Sequence, residues 1–245
     1  FWIAWVCGFL YLFYKNSGLG QYSMVPREKI ILTIFGMDGY TLWYGANFYV
    51  LGEWFLGCIV LMYIIFPILK KGVENYPIIT AISIMIIYVV GPNFYTAKIP
   101  ASIFVLFRLP EFAFGMYFVK YIKKVKWPIG LCSGILLVAM NLVDISNIST
   151  LYKNTCIAIA MVMLVECVCH YIKSDMFYSV FSYVGKYCYG IFLTHHIIIQ
   201  EIAYKFQGEV LSRLEVYLLF GLCVVVIGLC VNVLCKIDSK IKNML

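Results

Sequence analysis

The stretch NFYVLGEWFLGCIVLMYIIFPIL, residues 47–69, constrains the fold more than any other part of the chain. It is long enough to cross the hydrocarbon core of a bilayer, which takes about 20 apolar residues in a helix. One charge interrupts it, Glu53, and the lysine pair Lys70 and Lys71 follows it directly. A carboxylate inside an apolar span is costly, so Glu53 must have either a partner or a function.

The remainder of the chain is similarly apolar. Of its 245 residues, 63% are hydrophobic and 13% are charged, whereas soluble domains are about 45–50% apolar and about 25% charged. One soluble core cannot bury this excess, so we predict an all-α polytopic membrane protein. The net charge of +7 is spread over short loops. Short basic loops are typical of membrane proteins, whose cytoplasmic loops are rich in lysine and arginine. They argue against nucleic acid as a partner, because binding nucleic acid would need a basic face on a folded domain.

Apolar runs separated by lysines and turn residues predict eight membrane spans. The fourth span differs from the others because Arg108, Pro110 and Glu111 interrupt it. We find no repeat, low-complexity tract or soluble domain, so residues 1–245 are predicted to form a single integral membrane domain. The predicted spans are residues 1–14, 47–69, 76–90, 102–121, 127–143, 151–171, 180–203 and 216–235.

The lysines predict the orientation of these spans. The tail after the last span, residues 236–245, is rich in lysine and is therefore assigned to the cytoplasm. Alternation of the spans then places three other lysine-rich segments on the same side, at residues 70–71, 120–126 and 173–186. The first span would run outward, so we expect an even number of further spans before Phe1 in the complete protein.

The one long connection, residues 15–46, falls on the outer side. Its apolar run at residues 30–35 is too short to span a bilayer, so we predict a re-entrant or interfacial segment. Long ordered loops are often functional, and this one leads directly to Glu53. Glu53 itself lies about six residues into its span, roughly 9 Å below the outer face. It is either half of a structural ion pair, or a carboxylate that orients a catalytic base or binds a polar substrate.

The segment Arg108-Leu109-Pro110-Glu111-Phe112 is a second candidate site. A proline inside a span bends the helix and frees backbone carbonyls. Arg108 and Glu111 are three residues apart, so they are expected to pair on one helix face. The segment is then either a self-neutralising kink or an arginine held ready for a phosphate or a carboxylate.

A third candidate is the run from Gly185 to His196, which ends in two adjacent histidines. Adjacent residues on a helix point about 100° apart, so at most one of His195 and His196 faces a given partner. A histidine in a span is either a satisfied interior group or a catalyst. We expect no metal here, because adjacent histidines do not suit a chelate on one helix face and no carboxylate nearby completes a ligand set.

Three segments together resemble the membrane acyltransferase-3 family. GEWFLGCIVLMYIIFPIL is similar to that family's aromatic–polar–Glu–aromatic segment, which runs to a proline at the end of a span. RLPEFAFGMYF is similar to its R-x-P-E-F-x-x-G segment, and YVGKYCYGIFLTHHIII to its Y-x-G-K-x-S-Y-G-I-Y-L-x-H helix. His195 falls on the histidine of the last motif, while Cys188 replaces the usual serine and Phe192 the usual tyrosine. The three motifs occur in the family's order.

The resemblance implies a fold of ten membrane helices, of which eight are present here. It also implies an enzyme that moves an acyl group, commonly acetyl from acetyl-CoA, onto a hydroxyl of a cell-surface or exported carbohydrate. The acyl-CoA would be a substrate, and no bound cofactor is expected. The family's principal catalytic histidine would lie before Phe1, so we expect the chain as given to be inactive.

Supporting roles are then expected within this chain. Glu53 and His195 are the catalytic candidates, and Arg108, Glu111, Trp54 and Tyr189 are the substrate-binding candidates. The setting expected for such an enzyme is a bacterial cytoplasmic membrane.

Two other functions would also place polar groups in kinked helices. One is a transporter or flippase for a lipid-linked sugar or small molecule. The other is an acyltransferase-like fold retained for sensing or scaffolding. The transporter is the main rival to the enzyme, but such proteins usually contain internal repeats and none is visible here.

Overall fold

The computed structural model describes residues 1–51, 54–142, 149–172 and 174–244. Within these ranges the chain consists of α-helices, short turns of tighter or wider helix and connecting loops, and it contains no β-strand. The predicted all-α membrane class is confirmed. Ten α-helices are described: α1 Trp2–Lys15, α2 Ile30–Ile34, α3 Asp38–Thr41, α4 Trp54–Asn75, α5 Pro77–Val90, α6 Leu109–Tyr117, α7 Trp127–Leu142, α8 Thr150–Tyr171, α9 Asp175–Tyr204 and α10 Arg213–Lys242.

A helix lies at each of the eight predicted spans. Four described helical segments are long and apolar enough to cross a bilayer: Trp54–Asn75, Pro77–Phe94, Thr150–Tyr171 and Arg213–Lys242. Helices α1 and α7 are apolar but shorter. Large apolar side chains stand on the outside of the long helices, such as Ile68, which is 75% exposed, and Phe220, which is 69% exposed. Such exposure is favourable only against lipid. The total of eight spans and the cytoplasmic C-terminus remain predictions.

The second predicted span is displaced toward the C-terminus. Residues 47–50 are not helical, because Asn47 fixes a turn there: its side-chain amide donates to the Asp38 carbonyl at 2.7 Å, and its Oδ1 accepts from the Tyr49 N–H at 3.1 Å. The described helix begins at Trp54 and continues through Pro67 to Asn75. The predicted bounds 47–69 are therefore wrong at both ends.

The fourth predicted span is also corrected. Residues Ala101–Ile103 and Val105–Arg108 form short 3-10 turns, and α6 begins only at Leu109. Pro110 lies in the first turn of α6, where the N–H that proline lacks would have had no helical partner. Pro110 therefore starts a helix, and the predicted kink inside a continuous helix is wrong.

The chain divides into two compact units, residues 1–57 with 179–245 and residues 58–178. In the first unit α9 packs against α10 around Cys223, Ile227 and Val231. Gly190 permits this approach, because a Cβ there would lie 2.6 Å from Cγ1 of Val231.

In the second unit one apolar core combines Leu69, Ile84, Leu109 and Ala113. It joins the C-terminal part of α4 to α5 and α6. A second cluster, Tyr88, Phe107 and Leu151, joins α5 and the turn before α6 to α8. These two clusters fix the start of α6, where Arg108 and Glu111 lie.

Candidate functional site

The Arg108–Glu111 ion pair lies at the start of α6. Arg108 ends the turn Val105–Arg108, and Glu111 lies in the first turn of the helix. The three-residue spacing places both side chains on one face, and Nη1 of Arg108 lies 2.7 Å from Oε1 of Glu111. The side chains are only 14% and 20% exposed. The predicted pairing is therefore present, at a helix N-terminus, where a carboxylate also interacts favourably with the helix dipole.

Thr155, in α8, joins this pair from a second helix. Its hydroxyl donates to Oε1 of Glu111 at 2.7 Å, and its side chain is almost fully buried. One carboxylate oxygen thus accepts from both Arg108 and Thr155. Hydrogen bonds to a charged group are stronger than neutral ones, so this contact fixes the rotation of the Glu111 carboxylate.

The other carboxylate oxygen, Oε2 of Glu111, is buried and has no hydrogen-bond partner among the described residues. A buried polar atom of this kind costs about 1–3 kcal/mol when unsatisfied, so native proteins usually supply water or a ligand to it. The Arg108–Glu111–Thr155 cluster is charged, buried and incompletely satisfied. Such a cluster in a membrane protein is a candidate functional site.

His195 lies near the C-terminal end of α9 and is half-buried. Its Nδ1 lies 3.1 Å from the carbonyl of Ile191 and 2.9 Å from that of Phe192. Because both neighbours are acceptors, Nδ1 carries the proton and donates to them. Nε2 is then the nitrogen that can accept a proton or a hydrogen bond, as a base or a substrate ligand requires.

The aromatic candidates lie in the same unit as His195. Trp54, the first described residue of α4, makes an edge contact with Phe55 at 6.0 Å, and Phe55 makes another with Phe192 at 5.6 Å. Phe192 lies 6.3 Å from the His195 ring. A chain of aromatic contacts therefore connects Trp54 with His195. Tyr189 is exposed and lies about 120° around α9 from His195, so it faces another direction.

Glu53 lies outside the described residues, so its predicted role remains a prediction. Its neighbour Trp54 is placed by the contacts above. Gly57, one turn further along α4, packs against the connection of residues 15–46, because a Cβ there would lie 3.2 Å from Sδ of Met37. The connection and the start of α4 are thus in direct contact.

Within the described residues, no group of three or more His, Cys, Asp or Glu side chains is placed to hold a metal ion. The rings of His195 and His196 have centroids 6.4 Å apart and are nearly perpendicular, at 89°. This arrangement does not direct the two rings at one point.

The comparison with protein families decides the assignment. The sequence model of the acyltransferase-3 family, which is described as an acyltransferase domain, matches residues 1–236. The chain belongs to the acyltransferase-3 family. Neither a curated protein nor a solved structure matches it. The resemblance carried by the three sequence motifs is confirmed, and the chain is a multi-pass membrane protein of a family of membrane acyltransferases.

This acyltransferase contains a buried carboxylate that sequence reasoning missed. Asp38 begins α3, in the connection of residues 15–46, and is 2% exposed. Neither of its oxygens has a hydrogen-bond partner among the described residues. Burial raises the pKa of its carboxyl from 3.8 to about 6, against a smaller lowering by the nearby Thr33 hydroxyl. The signal in the sequence was a lone aspartate between apolar residues, in GMDGY.

Sequence reasoning also missed Thr155 and Tyr88 of this acyltransferase. Tyr88, in α5, is buried and donates from its hydroxyl to the Leu151 carbonyl at 3.4 Å. Threonine and tyrosine are common in apolar spans, so neither the type nor the sequence position of these two residues predicts a role at the site. Only the packing of α5, α6 and α8 brings Thr155 to Glu111 and Tyr88 to the Leu151 carbonyl.

The acyltransferase also contains an apolar cleft in the unit of residues 1–57 and 179–245. Its volume is about 590 Å³, and α1, α9 and α10 line it, with Glu201 and Lys205 among the lining residues. Glu201 pairs with Lys15 at 2.6 Å and accepts from the Tyr11 hydroxyl at 3.2 Å. The cleft is therefore apolar along most of its wall and carries a polar cluster at Glu201.

Proposed function

We propose that this protein transfers an acyl group, acetyl in the simplest case, from an acyl-CoA donor to a hydroxyl of a cell-surface or exported carbohydrate. The proposed setting is a bacterial cytoplasmic membrane. Membership of the acyltransferase-3 family supports acyl transfer in general. The observation that carries the finer proposal is Arg108, a mostly buried arginine whose partner Glu111 is itself held by Thr155.

Arg108 is proposed to bind negative charge during the reaction. Its guanidinium is always charged and presents several N–H donors, which suits the phosphates of CoA or the oxyanion that forms at the thioester carbonyl. A side chain that Glu111 already orients needs little further ordering when such an anion arrives. Glu111 therefore serves to position Arg108 and to balance its charge before the substrate binds.

The reaction itself needs a base and an anion-stabilising group. A base removes the proton of the sugar hydroxyl, and the oxygen attacks the thioester carbonyl carbon. The C–O bond forms, the C–S bond breaks, and the CoA thiolate leaves and takes up a proton. His195, with Nε2 as acceptor, is proposed as a supporting acid or base or as a ligand of the acceptor. Glu53 is proposed to orient the base or the substrate.

Trp54 and Tyr189 are proposed to bind the carbohydrate. Their aromatic rings are suited to pack against the apolar faces of sugars while their polar atoms hydrogen-bond to hydroxyl groups. Tyr189 is exposed, so its ring is accessible to an acceptor.

The test is kinetic. The protein is expressed in full from its natural gene, reconstituted in vesicles and supplied with acetyl-CoA and an acceptor glycan. Arg108→Ala is expected to lower kcat/KM by at least about 100-fold, as loss of an anion-stabilising donor does elsewhere. Arg213→Ala, which removes an exposed arginine at the start of α10, is the matched control and should change little. Wild-type kinetics in Arg108→Ala would contradict the proposal.

A further inference from the structure

The Thr155 hydroxyl has two acceptors within reach. Its Oγ1 lies 2.7 Å from Oε1 of Glu111 and 3.2 Å from the Leu151 carbonyl one turn earlier in α8. A hydroxyl has a single hydrogen, so it can serve only one of them fully. A threonine in a helix usually donates back to its own helix. Here the shorter contact is to a charged oxygen on another helix.

Tyr88 is a second side-chain donor near the Leu151 carbonyl. Its hydroxyl donates to the same Leu151 carbonyl at 3.4 Å, from α5. That carbonyl therefore has a donor besides Thr155, and the much shorter contact assigns the threonine hydrogen to Glu111. Tyr88 and Thr155 are both almost fully buried, so water does not compete freely for these contacts.

We propose that Thr155 is a positioning residue for Arg108, acting through Glu111, and that Tyr88 directs the Thr155 hydroxyl to that task. The inference rests on the proposed function of Arg108. Oε1 of Glu111 accepts from both Thr155 and Arg108. If the threonine contact is lost, the carboxylate can rotate, and Arg108 loses the fixed partner that aims its guanidinium.

The decisive variant is Thr155→Val, which keeps the shape of the side chain and removes the hydroxyl. It is expected to lower kcat/KM about tenfold, the effect of one hydrogen bond to a charged group. The kinetic parameter that changes, kcat or KM for the donor, should be the one that Arg108→Ala changes. Thr155→Ser should restore most of the activity, and Tyr88→Phe should show a smaller loss in the same parameter. Thr150→Val, at the exposed first position of α8, is the matched control.

A double-mutant cycle separates positioning from a general structural role. If Thr155 acts through Arg108, adding Thr155→Val to Arg108→Ala should cost less than about twofold more, because the group being positioned is already absent. Arg108→Lys provides a second background if Arg108→Ala fails to fold. Full additivity in the background that folds, or a Thr155→Ser variant as impaired as Thr155→Val, would overturn the inference.

The outcomes also distinguish this inference from the proposed function. If Arg108→Ala impairs transfer and Thr155→Val does not, the inference alone is wrong. If the wild-type protein transfers no acyl group, or Arg108→Ala leaves transfer unchanged, the proposed role of Arg108 is wrong and the inference is overturned with it.

Discussion

Neutralising the buried carboxylate of Asp38 gives the sharpest prediction about stability. Asp38 is 2% exposed, and burial raises its pKa from 3.8 to about 6. The fold therefore favours the protonated form, so the folded state binds more protons than the unfolded state between about pH 4 and pH 6. The unfolding free energy should fall as the pH rises through that window and level off above it. A shift of about two pKa units corresponds to about 3 kcal/mol.

Asp38→Asn removes this titration. Thermal or denaturant unfolding in detergent micelles, measured at pH 4 and at pH 7.5, should show wild-type protein losing about 2.5 kcal/mol relative to the variant over that interval. The new amide changes the unfolding free energy by the same amount at both pH values. The difference between the two pH values therefore isolates the titration of Asp38. Glu209→Gln, at an exposed position, controls for the change in net charge. If the wild-type and Asp38→Asn proteins show the same pH dependence, the reasoning about the buried carboxylate is wrong.

Two further predictions concern packing and a surface ion pair. Gly130→Ala in α7 should destabilise the protein by about 1–3 kcal/mol, because its Cβ would overlap Cys167 of α8, whereas Gly134→Ala, whose nearest neighbour atom is 3.7 Å away, should be tolerated. Unfolding midpoints in detergent would check both, and equal effects would contradict the described packing. Glu201→Gln should cost less than about 1 kcal/mol, because the pair with Lys15 is partly exposed. A loss of several kcal/mol in the same assay would contradict that.

The helical membrane fold was predictable because it depends on composition. Long apolar runs can satisfy their backbone in lipid only as helices or closed barrels, so the existence of a helix at each predicted span followed from the sequence. Boundaries were less predictable. The Asn47 turn delays the start of α4, and Pro110 lies in the first turn of α6. Local hydrogen bonds and proline geometry set these boundaries, and the apolar character of the sequence does not reveal them.

The candidate site was predictable only where its residues are close in sequence. The Arg108–Glu111 pair follows from a three-residue spacing and is present. Thr155 reaches Glu111 from 44 residues away, and only the packing of separate helices brings the two together. Asp38 illustrates a different limit: the sequence places a charge in an apolar context but does not reveal that its carboxyl is buried without a partner among the described residues.

The most direct test of the central claim is transfer of label. Complete protein in sealed vesicles would be given acetyl-CoA labelled in the acetyl group and an unlabelled acceptor glycan, with Arg108→Ala protein in parallel vesicles. The account predicts label in the glycan as an alkali-labile ester, and little or none with the variant. Glycan that crosses the vesicle membrane without acquiring label would contradict the account and favour a transporter.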